Sequence, residues 1–349
     1  MDLDTIKEIW IHLLNRSAYQ YFMSWSWVST WINTLPSDSK IQLHVAYQQD
    51  RPLVAFFLGQ RNIRKYGILP SRLLSLNSTG DSYYDVLYIE YNSVLYDSST
   101  NLDIDNILNY IFNLDWDELM FPGMSEKFVT DFNLLDKARK LKYNLLVEHV
   151  DSSFFVNLQK IRDAEMGFLK TLSSNRRSQL RRSLKQYEMN GLIHIHEAAS
   201  TDEALVMLDE LVRLHQHEWK QRGWPGLFSN QYFYQFHKNL IHAGYEKGEI
   251  QLLHFYTDQI EIGYVYCFIH HKTVLFYQSG FQYQLENNFR PGLVSHYLAV
   301  LYNANKNMDL YDFWQVTQHT SVPCHQTQPL CIGLDFTKID VDILLKKKF

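Results

Sequence analysis

The chain has 349 residues, a formal net charge of −5, 46% hydrophobic residues and 15% aromatic residues. That much apolar material over this length builds two domains of ordinary size and excludes a disordered chain, while the mild acidity excludes a general affinity for nucleic acid or anionic membrane. No apolar run nears the roughly 18 residues that span a bilayer, and three cysteines are too few for a disulfide framework, so a reducing, cytoplasmic setting is expected.

The opening MDLDTIKEIW is acidic and lacks the basic-then-apolar pattern of a secretory signal. Ile6–Asn15 and Trp25–Asn33 read as short helices with aromatic faces. Ile41–Gln48 and Leu53–Gly59, separated by a polar turn, read as a hairpin. After a loop at Asn77–Asp81, Tyr83–Glu90 is expected as a strand. Leu102–Phe112 has helical spacing, with Ile104, Ile107, Leu108 and Ile111 on one face. Glu118–Phe121 reads as a strand ended by Pro122-Gly123, Val129–Leu141 as a helix and Tyr143–Val150 as a strand. The chain is expected to divide into residues 1–150 and 151–349, with Asp151–Arg162 bridging the halves and no flexible linker.

In the second half, Lys170–Asn190 reads as a helix and Leu192–His196 as a short strand. Ser200 and Glu203 form a capping-box pattern that starts a helix running to about Arg222. Tyr232–Ala243 is a further helix. Strands Ile250–Thr257, Ile262–His270 and Thr273–Phe281 follow, then a helix at Gly292–Lys306 and a strand at Leu310–Gln315. Between the last of the three strands and the helix lies Arg290-Pro291-Gly292. A strand, a turn with proline at the first helical position and a helix put unpaired N–H groups at one point, which suits a diphosphate.

Six blocks in order carry a resemblance: SSNRRSQLRRSLKQY, LHQHEWKQRGWPGLF, EIGYVYCF, FYQSGF, RPGL and YDFWQ, all within Gly167–Gln315. Together they resemble the acetyltransferase domain of the GNAT superfamily in CelD-like polysaccharide-biosynthesis proteins, and more distantly the Fem-family peptidoglycan aminoacyltransferases. The resemblance implies an α/β fold of tandem GNAT-like units, each a mixed sheet flanked by helices, with the C-terminal unit better preserved. It implies direct acyl transfer in a gap between Thr273–Phe281 and Leu310–Gln315, without metal. There the backbone near Ser279, Gly280 and Phe281 would hold the carrier's pantetheine arm and polarise its thioester. Tyr277 would either protonate the leaving thiolate or pack in the core, and Gln315 would orient a group. Arg290, Gly292, Leu293, Val294 and Ser295 would hold the diphosphate of acetyl-CoA. The sequence departs from the GNAT pattern Gln/Arg-x-x-Gly-x-Gly/Ala, since Arg290 precedes Gly292 by two positions and Val294 stands at a small-residue position. An acyl carrier protein or aminoacyl-tRNA therefore stays open as donor. The tail after Gln315 also lacks the family's usual continuation.

Two further segments bear on the acceptor. Lys170, Arg176, Arg177, Arg181, Arg182 and Lys185 occur with no acidic residue between Gly167 and Gln186, which makes either a solvated face or an electropositive rim. His215, Glu218, Trp219 and Arg222 precede a Trp/Gly loop with Trp224 and Phe228. His215 is either an acid/base partner of Glu218 or a buried structural histidine. The histidine and cysteine spacings make no metal site. The expected activity is N-acyl transfer from acetyl-CoA to an amine of a small molecule or envelope-glycan precursor. The rival readings are a Fem-like aminoacyltransferase, in which case nucleic acid enters as aminoacyl-tRNA, and a non-catalytic binding protein that kept the fold.

Overall fold

The computed structural model describes residues 2–100, 102, 104–163, 168–285, 288–313 and 335–346. Two compact units result: residues 1–152 with 338–349, and residues 153–337. Both are mixed sheets flanked by helices.

The first unit opens with α1 (Leu3–Leu14) and α2 (Trp25–Thr34), capped by Asp2 and Ser24. Next come β1 (Ile41–Gln48), β2 (Arg51–Lys65), β3 (Leu69–Leu76), the short β4 (Leu95–Tyr96), α3 (Ile104–Phe112) and β5 (Glu118–Ser125). Helices α4 (Glu126–Asp131) and α5 (Leu134–Lys140) and strand β6 (Asn144–Asn157) follow. The strand order is β1-β2-β3-β5, completed by β12 (Asp335–Lys346), with β3 and β5 parallel. Alternation along β2 sends Phe57 to the α1/α2 side, against Trp10 and Trp31, and Val54, Phe56 and Leu58 to the α3 side, with Leu108 and Ile111.

Several expectations change here. Tyr83–Glu90 is no strand: Asp85–Leu87 forms a short 3-10 turn, and Tyr88 and Tyr91 take left-handed backbone, which extended pairing does not allow. The helix expected at Val129–Leu141 is two helices, broken where Asn133 turns left-handed at φ 51°. Strand β3, with Pro70, Ser71 and Arg72 among its leucines, carries no clean alternation to read.

The second unit contains α6 (Leu158–Asp163), α7 (Ser174–Glu188), β7 (Ile193–Glu197), α8 (Thr201–Gln221), α9 (Gln231–Gly244), β8 (Ile250–Thr257), β9 (Glu261–His270), β10 (Thr273–Phe281), α10 (Pro291–Asn305) and β11 (Leu310–Asp312). Its strand order is β6-β11-β10-β9-β8-β7, and only β10 and β11 run parallel. Helix α7 starts at Ser174 rather than Lys170 because the Ser173 hydroxyl caps it, accepting from the Arg176 N–H. The Ser200 hydroxyl accepts from the Glu203 N–H, as the capping box requires, while the Glu203 carboxylate reaches the Ala199 N–H at 2.6 Å. Val274, Cys267, Val265 and Phe255 pack under α10 through Val294 and Val300. Buried Gln251 and Asn303 exchange two amide hydrogen bonds of 3.1 and 3.0 Å, which ties α10 to β8.

Candidate functional site

Parallel β10 and β11 pair only at Thr273↔Leu310, Val274↔Tyr311 and Leu275↔Asp312. Beyond Leu275, β10 continues to Phe281, bonded to β9 on one side and open on the other among the described residues. A β-bulge shifts the β9–β10 register between Phe276 and Gln278, so Tyr277 is the extra residue. Neighbouring side chains on β10 take opposite faces. Phe276 faces α10, its ring 4.6 Å from that of His296. Tyr277 faces α9 instead. Its buried hydroxyl lies 3.2 Å from Nε2 of the fully buried His237. The proton donor expected in the gap is therefore enclosed in the α9 core.

Gly280 is needed for packing. A Cβ there would stand 2.2 Å from the Leu211 carbonyl oxygen on α8. Its side-chain absence brings α8 close to β10 rather than making the bulge. Ser279 is partly exposed beside it and Phe281 ends the strand. Gln315 lies outside the described residues.

The strand delivers the chain to the start of α10. Arg290 is the N-cap residue, exposed, and supplies no side-chain cap; Pro291 fills the first turn. Leu293, Val294 and Ser295 are buried, so the half-buried main chain at Gly292 is what this end presents. Its N2 and N3 amides have no intrahelical acceptor. The Phe281 ring packs on Gly292, 3.1 Å from where a Cβ would stand. The Ser295 hydroxyl is buried without a protein partner. Helix α7 holds the loop before α10: the Ser183 hydroxyl donates to the Asn288 carbonyl at 2.7 Å, and Tyr187 meets Phe289 edge-on at 4.9 Å.

On α8, His215 and Glu218 do not act on each other. His215 is buried against Phe228, Nδ1 lies 3.1 Å from Gln216 Oε1, and burial pushes its pKa down to about 4. Glu218 pairs with Arg222 at 2.7 Å, and the guanidinium lies 6.0 Å from the Trp219 ring centre. Tyr283, beyond the end of β10, adjoins this pair and is 45% exposed; partial desolvation raises its phenol pKa while Arg222 opposes the rise. On α7, Arg177, Arg181 and Lys185 form one row at four-residue spacing, and among the described residues neither they nor Arg182 form an ion pair. The sequence reading missed His237, His296 and Tyr283. His296 carried a signal, since it lies one helical turn after Gly292. It is buried between the two strands, Nδ1 3.3 Å from the Tyr311 hydroxyl, its pKa lowered by burial to about 3.

The equivalent fork in the first unit is closed. Parallel β3 and β5 part after Ser75↔Met120. Asn92 enters there: its side-chain amide donates to Leu76 O at 3.0 Å and Pro122 O at 2.8 Å, and its N–H to Gly123 O at 2.8 Å. Asn77 holds it through a 2.7 Å amide bond to Asn92 Oδ1. At Gly123, with φ 57°, a Cβ would fall 2.0 Å from the Ile89 carbonyl oxygen. The chain's own loop occupies this gap.

Among the described residues, a parallel fork thus opens toward a helix start without a side-chain cap. Residues 174–318 match the family described as the acetyltransferase (GNAT) domain. This unit is a GNAT domain, and the chain is of the acyltransferase class. Over its whole length the chain is similar in structure to FemX, with a TM-score of 0.61 and 11% identity, covering 97% of this chain and 96% of FemX. It is also similar to a conserved protein of unknown function from Bacteroides thetaiotaomicron (TM-score 0.55, 10% identity, 99% and 98% covered). L-PGS from Bacillus licheniformis follows (TM-score 0.52, 10% identity, 98% and 91% covered). At such identities the likeness speaks for the fold. No curated protein matches the sequence. Among the described residues, no group of three or more His, Cys, Asp or Glu is placed to hold a metal, and no helix is long and apolar enough to cross a membrane.

Proposed function

We propose that the second unit transfers an acetyl group from acetyl-CoA to an amine, on a small molecule or an envelope-glycan precursor. The observation that carries this reading is the open edge of β10 from Phe276 to Phe281, leading to the uncapped start of α10. The pantetheine arm pairs along the edge, and the diphosphate takes the free N–H groups at Gly292 and Leu293. The buried, unpartnered Ser295 hydroxyl fits a polar ligand at the same turn. The amine nitrogen attacks the thioester carbon and the C–S bond breaks. The thiolate leaves as the CoA thiol, and the amine loses its proton to solvent. Glu218, Arg222 and Tyr283 form the polar wall on the acceptor side.

Calorimetric titration with CoA tests the donor. Gly292→Val covers the helix start and is expected to weaken CoA at least tenfold, about 1.4 kcal/mol. Unchanged affinity in a folded variant removes this site. Intact mass after mixing with acetyl-CoA alone tests direct transfer: an acetyl adduct that disappears on adding acceptor defeats it. A second reading, transfer of an aminoacyl group from tRNA, is favoured by the basic row on α7, which forms no ion pair among the described residues.

A further inference from the structure

The first unit has a concave site away from its closed fork. Strand β1 lies at the sheet margin, and α3 leaves part of its face uncovered. Register places His44 opposite Phe56 and Ala46 opposite Val54, all on the α3 side. Above them Ile107 and Tyr110 project from α3. Together they enclose a cavity of about 340 Å³, within the ~300–1,000 Å³ usual for small-molecule sites. Its walls are mainly apolar and none of its lining residues carries a fixed charge. At one end, His44 Nδ1 lies 2.9 Å from the Tyr110 hydroxyl, and the imidazole stacks on Phe56 at 5.4 Å with 6° between planes. The Asn106 side chain stands one turn before Tyr110 on the same wall.

We propose that this cavity binds a small neutral amphiphile: an apolar body of medium length or a single ring, with an uncharged hydrogen-bonding head held by His44 and Tyr110. Three observations carry it. The body of the site is apolar and large enough for a ligand. Its polar groups converge at one end, as they do where a ligand is oriented rather than only packed. Among the described residues no cation lines the site, which disfavours a carboxylate or phosphate. Burial also lowers the His44 pKa, which keeps the imidazole neutral near pH 7.

Methyl NMR of the full chain with 1-octanol, octanoate and benzene as probes, at pH 8, tests this. Saturable shifts of the Val54 and Ile107 methyls are expected with octanol and benzene, and at least fivefold weaker binding of octanoate. Ala46→Trp fills the cavity and should abolish the shifts. Tyr110→Phe lies at the exposed mouth and does not threaten folding. It should weaken octanol three- to tenfold and leave benzene unchanged. Absence of saturable shifts in the wild-type chain overturns the proposal, as do equal shifts in folded Ala46→Trp. Equal octanol affinity in Tyr110→Phe, or octanoate binding as tightly as octanol, overturns the head-group assignment. None of these readouts depends on CoA, so the result is separate from the fate of the transfer reading.

Discussion

Asp85 holds the loop that closes the first unit's fork, accepting from the Thr79 N–H at 2.7 Å and the Thr79 hydroxyl at 2.8 Å. Its carboxyl group is enclosed, and burial raises its pKa to about 6 against those bonds. The folded pKa lies above the unfolded one, near 4. The folded chain therefore holds this proton more tightly, and Asp85 costs stability as pH rises from about 4 to 6. Buried His237 and His296 act with the opposite sign. Burial lowers each to about 3, so their contribution is complete above about 6.5 and fades as pH falls below it. Comparing Asp85→Asn with wild type cancels the histidines. The variant keeps an acceptor oxygen without the charge. Its melting temperature is expected to match wild type near pH 4 and to exceed it by roughly 2–4 °C at pH 7. A constant difference across that range, measured by circular dichroism, refutes the assignment. Asp85 and its shift were not legible in the sequence, which read this stretch as a strand, because burial depends on distant segments.

Among the elements, α7 most invites a test. Leu180, Ser183 and Tyr187 bury one face of α7, with Ser183 and Tyr187 meeting the loop before α10, and Arg177, Arg181 and Lys185 form a separate row about 12 Å long. Replacing the three with Gln keeps helix propensity nearly constant. CoA or aminoacyl-tRNA binding is expected to weaken three- to thirtyfold at low salt and to lose part of its salt dependence. If affinity and salt slope for both carriers stay as in wild type, the row is solvated surface. The composition of α7 was plain in the sequence, since five basic residues with an acid only at the last position need no fold to be seen. Its anchor was not, because Ser183 meets Asn288 105 positions away. The same holds for β10. Its strand pattern was readable, but the bulge at Tyr277 follows from pairing with β9, and the shifted alternation turns Gly280 toward α8 and Phe281 toward α10.

At the scale of the molecule, one fork is open among the described residues and the other is filled by the loop around Asn92. One CoA per chain is therefore expected in equilibrium titration, and Gly292→Val is expected to remove that single site. A stoichiometry of two, or one full site surviving in the variant, shows that the first unit also takes the carrier. The doubling of the architecture was expected only from the family resemblance, whereas the sequence itself determined the α/β class, the order of helices and strands in the second half and the turn at Arg290–Gly292. These rest on local chemistry: periodicity, caps, and the fixed geometry of proline and glycine. Tertiary structure alone decided that Tyr277 turns toward His237, that Gly280 admits α8, and that Asn92 closes the first fork. Each of those outcomes depends on which side of a strand is covered and by what, and a residue's neighbours along the chain do not carry that information.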